Sequence, residues 1–266
     1  MTLVWPWDPT VLFGLAALSV GYAWLARSTN APRRRAVYFG IGLVVVWMAL
    51  ETPLDSLADD YLQSAHMAQH MLLMTVAPAL LLLGLTAPMA AVLLRIPLLR
   101  SLTEPVPAQL AYATVMIGWH IPGLYSLALS NPSIHVVEHL AFLAAGTLFW
   151  WPVIRATGVH SRWHLTEPAV VLYLLVGMLP MMAVSLPLQF SRQVFYPFYA
   201  GAPRILPSIT PVLDQTIAGA VMMLMAMVAT GVEAVIVICR WLGEAVRADL
   251  EGQEAGGEGG RQAIGR

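Results

Sequence analysis

The chain has 266 residues, 58% of them hydrophobic and 11% charged, with a formal net charge of −1 and a mean hydropathy of +0.70. That balance excludes a soluble globular domain and, lacking any basic excess, a binder of nucleic acid; it belongs to an integral membrane protein. A single cysteine, Cys239, excludes an internal disulfide framework and any paired-thiolate metal site.

The opening MTLVWPWDPT carries neither a basic leader nor a small-residue cleavage motif, so the first apolar segment is expected to remain in the mature protein. With about 20 apolar residues needed per crossing, seven spans are expected, near residues 10–26, 36–51, 66–89, 106–121, 134–154, 167–187 and 212–239. Every basic residue is arginine, and the arginines alternate along the chain. Arg27, Arg33, Arg34 and Arg35 follow the first span, Arg95 and Arg100 the third, Arg155 and Arg162 the fifth, Arg240 and Arg247 the seventh. By the positive-inside rule these segments are cytoplasmic. Glu51, Asp55, Asp59, Asp60 and the neutral PGLYSLALSNPS fall on the other side, with Arg192 and Arg204 as exceptions. The expected fold class is therefore all-α, a polytopic membrane helix bundle with seven transmembrane helices, the N-terminus outside and the C-terminus cytoplasmic. Residues 1–250 form the transmembrane domain. Residues 251–266, EGQEAGGEGGRQAIGR, are too polar and Gly-rich to bury a core and are expected to be a disordered cytoplasmic tail.

This topology places the histidines by depth. His66 and His70 open the third span from the outside, His120 closes the fourth toward the outside, and His135 and His139 open the fifth. Each pair is spaced i, i+4, which sets two imidazoles on one helix face about one turn apart. The two pairs resemble each other, HMAQHM against HVVEHL, as a weak internal repeat. Gln69 and Glu138 stand where a side chain accepts a hydrogen bond from an imidazole and fixes its tautomer. Asp214, in LDQTIAGA, opens the last span from the same side and offers a carboxylate. Glu233 lies deeper and is expected to pair within the bundle. His160 and His164 flank Arg162 in a cytoplasmic loop and read as a solvated pair.

Singly, these residues have simpler readings. A lone interfacial histidine such as His120 more often makes a boundary hydrogen bond than holds a ligand, so the inference rests on five converging at one membrane face. Met67, Met71 and Met74 recur at helical spacing; thioethers suit Cu(I), but core packing is their expected role. Trp5, Trp7, Trp150 and Trp151 read as interface anchors. Pro78, Pro88, Pro122 and Pro180 read as kinks or helix ends, and Arg33 to Arg35 as orientation signals.

HMAQHMLLM, GWHIPGLY, HVVEHLAF followed by FWWPVI, and DQTIAGAVM together resemble the CtaG family of polytopic membrane assembly factors for caa-type cytochrome c oxidase, from about the second span to the seventh. The resemblance implies a non-enzymatic seven-helix protein of the bacterial plasma membrane that matures the oxidase by handling copper on the outer side. It implies cytochrome c oxidase subunits or a copper chaperone as partners, and a metal set of His66, His70, His120, His135, His139 and Asp214. The donor types alone leave zinc and iron open. Two other classes compete: a haem-binding electron carrier with His70 and His139 as axial ligands on facing helices, and a membrane di-iron oxygenase, against which stand the lack of a His-His pair and the outer placement of the histidines.

Overall fold

The computed structural model describes residues 5, 7–154 and 165–264. The expectations for Arg155, His160, Arg162 and His164 lie outside the described residues. Among the described residues twelve helices follow in order: α1 (Pro9–Ser28), α2 (Arg33–Leu50), α3 (Pro53–Asp60), α4 (Gln63–Gly84), α5 (Ala87–Leu93), α6 (Pro97–Leu102), α7 (Pro105–Trp119), α8 (Pro122–Ser130), α9 (Pro132–Trp150), α10 (Glu167–Phe190), α11 (Pro197–Gly201) and α12 (Pro211–Ile264). Proline in the first turn opens most of them. Its fixed φ suits a first helical turn, and its missing N–H costs nothing where no partner exists. The α1–α2 turn uses Asn30 at φ 51°, a left-handed conformation that Asn tolerates better than most residues.

The protein is an all-helical, multi-pass membrane chain. Five helices are long and apolar enough to cross: α1, α4, α9, α10 and the Pro211–Glu244 part of α12. Taken together α2 and α3, bent by 43°, have the length and apolarity of a sixth. Seven separate crossings do not emerge. The expected span at 106–121 is α7, only 15 residues long, or about 22 Å at about 1.5 Å per residue against about 30 Å of hydrocarbon. The chain breaks there because Pro122 cannot continue the helix. Helix α12 runs from Pro211 to Ile264 and so includes the Gly-rich C-terminal segment. Once a helix is nucleated each further residue adds a hydrogen bond, and a glycine costs only about 1 kcal/mol.

The bundle is built around α4, whose span is 67% buried where that of α1 is 6% buried. Helices α2, α9 and α12 pack on α4, and α10 packs on α12 and α7. Met67, Met71 and Met74 are buried as core residues, as their spacing predicted. Trp150 and Trp151, expected at the interface, are instead buried in the core, with Trp150 edge-on to Phe149 at 5.4 Å. Their position at the end of an apolar span mimics an interface anchor, but the helix end itself is packed inside the bundle.

A close approach sets the depth of the site. Pro78 has no N–H to offer the Met74 carbonyl, and the helix widens into a π-turn over Leu72–Val76, where the Ala77 N–H reaches back to the Leu72 carbonyl. Gly146 of α9 lies against this turn: a Cβ there would fall 2.9 Å from Met74 Cα and inside contact of its carbonyl oxygen. At the far end of α4, Arg35 Nη1 donates to the Leu83 carbonyl at 2.8 Å and the Tyr22 hydroxyl to the Gly84 carbonyl at 3.1 Å. Arg35 thus satisfies the C-terminus of a helix as well as carrying a topological charge.

Candidate metal centre

The first turn of α4 presents N–H groups without partners in their own helix, and its N-cap is Leu62, which makes no side-chain cap. Asp214 of α12 supplies the cap from across the bundle. Its Oδ2 accepts from the Gln63 N–H at 2.8 Å and its Oδ1 from the Ser64 N–H at 3.1 Å, fully buried. A carboxylate at a helix N-terminus also meets the positive end of the macrodipole. The neighbouring Gln215 ties down the 191–196 loop, accepting from the Phe195 N–H at 2.8 Å and donating to the Gln193 carbonyl at 3.0 Å. Asp214 therefore fixes where α4 begins, and His66 follows in the first turn.

From this start α4 projects His66 and His70 toward α9, which projects His135 and His139 back. One ring nitrogen from each of the four lies within 4.8 Å of the others. Ring centroids are 4.1 Å apart for His66 and His70, 5.3 Å for His66 and His135, 4.2 Å for His135 and His139 and 5.6 Å for His70 and His139. Two carboxylates flank the rings. Glu138 Oε1 is 3.8 Å from His70 Nε2 and its Oε2 3.9 Å from His135 Nε2. Asp59 of α3 places Oδ2 3.4 Å from His135 Nδ1 and Oδ1 4.0 Å from His66 Nδ1. The cluster is closed at His66 and His70, and open toward Asp59, whose side chain is 34% exposed. His139 also borders an apolar cavity of about 260 Å³ between α1, α2, α4 and α9.

Hydrogen bonding assigns the protons. The Tyr199 hydroxyl gives its one hydrogen to the Ala58 carbonyl at 2.7 Å, so His66 Nδ1, 2.9 Å away, is the donor to that oxygen. This leaves His66 Nε2 bare, facing His70 Nε2 at 2.7 Å, and the proton between them sits on His70. His70 Nδ1, His135 Nε2, His139 Nε2 and both Glu138 oxygens are buried with no hydrogen-bond partner among the described residues. Buried polar atoms without partners are uncommon in folded proteins. Imidazoles converging beside carboxylates, with buried ring nitrogens left unpartnered, suit a divalent transition metal, so the residues present fit a bound ion.

Against known families, residues 18–244 match the model described as cytochrome c oxidase caa3 assembly factor (Caa3_CtaG). The chain belongs to this family. No curated protein and no solved structure matches it. The histidine motifs that characterise the resemblance thus acquire coordinates in this family member, and they do not all converge.

Four of the six expected ligands come together. His120, at the end of α7, stands apart, its ring 6.2 Å from that of His70, with Nδ1 on the Met116 carbonyl at 2.6 Å and Nε2 on Met67 Sδ at 3.3 Å. Asp214 turns both oxygens to backbone N–H groups and is not among the clustered residues. Gln69 corrects a further expectation: its amide donates to the Ala49 carbonyl at 2.9 Å and to Asp55 Oδ1 at 2.7 Å, bracing α2 and α3 rather than an imidazole. Glu138 does face the rings, at distances beyond a hydrogen bond. Glu233 pairs as expected, with Arg240 at 3.2 Å. Sequence reasoning missed Asp59 and Tyr199. The only available signal for Asp59 was its i, i+4 spacing from Asp55 in an acidic loop.

Proposed function

We propose that this protein serves the maturation of a copper-containing cytochrome c oxidase as a non-catalytic membrane factor, taking copper as its cargo at His66, His70, His135 and His139 on the outer face of the bacterial plasma membrane. The observation that carries the reading is the convergence of four imidazoles from two helices beside Asp59 and Glu138, three of them with a buried ring nitrogen that has no hydrogen-bond partner among the described residues. Family membership supplies the oxidase. Neutral imidazoles hold a transition ion, and the carboxylates offset its charge in a site largely shielded from water. Tyr199 positions the His66 ring. Asp214 acts by fixing the start of α4, and His120 by a role taken up below. The ion would be exchanged with an oxidase subunit or a copper chaperone.

The arginine alternation supports an outside N-terminus and a cytoplasmic C-terminus, with α7 as a short seventh crossing beside α9 and α10. A haem between His70 and His139 is disfavoured by packing, since the rings of His66 and Phe142 are 4.1 and 4.3 Å from that of His70 and a porphyrin would displace both. The test is a deletion strain. Loss of the gene should lower the activity of a copper-containing terminal oxidase and spare a copper-free quinol oxidase, and complementation with His70→Ala/His139→Ala should not restore it. Normal oxidase activity in the deletion strain without added copper, or full rescue by the double variant, would overturn the reading.

A further inference from the structure

We propose that Met67 and His120 form a second metal site beside the four-imidazole cluster, selective for Cu(I), through which the ion enters or leaves the cluster. The inference rests on the copper-handling reading above. It begins from an oddity of hydrogen bonding. A carbonyl oxygen only accepts, so at 2.6 Å from the Met116 carbonyl His120 Nδ1 carries a hydrogen. In the neutral ring Nε2 then carries a lone pair. It faces Met67 Sδ at 3.3 Å, a second lone-pair atom, and both residues are buried. Two electron-pair donors turned to each other in a buried pocket repel unless a cation lies between them.

The contact is held from several sides. Tyr196 donates to the His120 carbonyl at 2.9 Å and stacks on Tyr125 at 3.9 Å, while Phe142 lies 5.9 Å from the His120 ring. Atoms 3.3 Å apart both reach one ion at about 2.0 Å to nitrogen and about 2.3 Å to sulfur, with an angle of about 100° at the metal. A thioether with an imidazole is a soft donor pair that favours Cu(I), whereas the imidazoles and carboxylates of the cluster do not discriminate against Zn(II).

Sequence adjacency links the two sites. In HMAQHM His66 faces the cluster and Met67, the next residue, faces His120. The His70 ring lies 6.2 Å from His120 and 5.6 Å from His139. Transfer between the sites is a ligand exchange, in which the copper bonds to Met67 Sδ and His120 Nε2 break as copper–nitrogen bonds to the cluster form. The ligands are neutral and copper remains Cu(I), so no electron is required.

The experiment uses the full-length protein in detergent, loaded anaerobically with Cu(I) alone or separately with Zn(II), and read by copper X-ray absorption and elemental analysis. The wild type should show a sulfur neighbour at about 2.3 Å on Cu(I). Met67→Leu, close in volume and apolar, should lose that neighbour and bind Cu(I) about 10- to 100-fold more weakly, at least the scale of losing a ligand-supporting contact, with Zn(II) content unchanged. Only nitrogen and oxygen neighbours on wild-type Cu(I), no bound Cu(I), or an undiminished sulfur neighbour in Met67→Leu would overturn the proposal; the first two outcomes need no variant. His135→Ala/His139→Ala separates this site from the cluster. Sulfur-bound Cu(I) retained there supports the second site even if the cluster takes no metal, and its loss there overturns an independent site.

Discussion

Replacing Gly146 by alanine adds one methyl group at the tightest crossing of α4 and α9. The new Cβ would stand 2.7 Å from the Met74 carbonyl carbon and 2.9 Å from Met74 Cα, where non-bonded carbons rest at about 3.5–4.0 Å, so α9 must retreat by about 1 Å. The obstacle is backbone, which no rotamer change clears. Overpacking of this kind costs about 1–3 kcal/mol. The larger consequence falls on the histidines. His139 lies seven residues before Gly146, about two turns, and a helix retreating as a body carries His135 and His139 with it. Metal–ligand distances tolerate about 0.2 Å, so a displacement of about 1 Å should lower metal affinity by about 10- to 100-fold, as much as losing an orienting contact. Gly40 of α2 is the matched control: it lies in a helix interior with nothing within 4 Å of an added Cβ, and alanine there should be neutral or stabilising by up to about 1 kcal/mol. Both variants, purified in detergent, are compared by thermal unfolding and by chelator competition. Wild-type affinity and stability in Gly146→Ala would refute the argument that this contact sets the spacing of the two histidine pairs.

Asp214→Ala should lower thermal stability by about 0.5–2 kcal/mol, the scale of a lost N-cap, while leaving metal stoichiometry as in the wild type; a protein that is stable but metal-free would make Asp214 a ligand. Metal affinity should hold around neutrality and fall on acidification, where protons compete for imidazole nitrogen. Affinity unchanged on acidification would count against imidazole ligation.

The histidine pairs were legible in the sequence because i, i+4 is a local relation that a helix converts directly into geometry. Their mutual approach followed from arginine topology, a property of loops that does not depend on packing. What escaped was whatever one helix does for another. Asp214 reads as a spare carboxylate until the uncapped Leu62–Gln63 start of α4 is seen beneath it. Asp59 reads as part of a solvated acidic loop, because nothing local shows α3 folding back over His66 and His135. Gln69 was read by analogy with Glu138, yet the two differ in which neighbour their helix faces. Hydropathy likewise gave α7 the length of a full crossing, since a window average does not register the stop imposed by Pro122.

The unpartnered atoms of the cluster bear on stability as well as on function. His70 Nδ1, His135 Nε2, His139 Nε2 and the two Glu138 oxygens are buried without hydrogen-bond partners, and a buried donor or acceptor left unmade costs about 1–3 kcal/mol. They lie on facing helices, at the α4–α9 contact that Gly146 permits. An ion bound to both pairs removes that cost and links the helices at once. Because these nitrogens converge only in the folded bundle, such binding stabilises the native state by mass action, by about 2.7 kcal/mol when free metal is 100 times its dissociation constant. Wild-type protein should therefore unfold at a higher temperature with Zn(II) or Cu(II) than with a chelator. The increment should vanish in His135→Ala/His139→Ala and persist in Met67→Leu, whose thioether faces His120 and not the cluster. Identical unfolding temperatures for the wild type with and without metal would mean that the four imidazoles gain nothing from an ion and are satisfied as they stand.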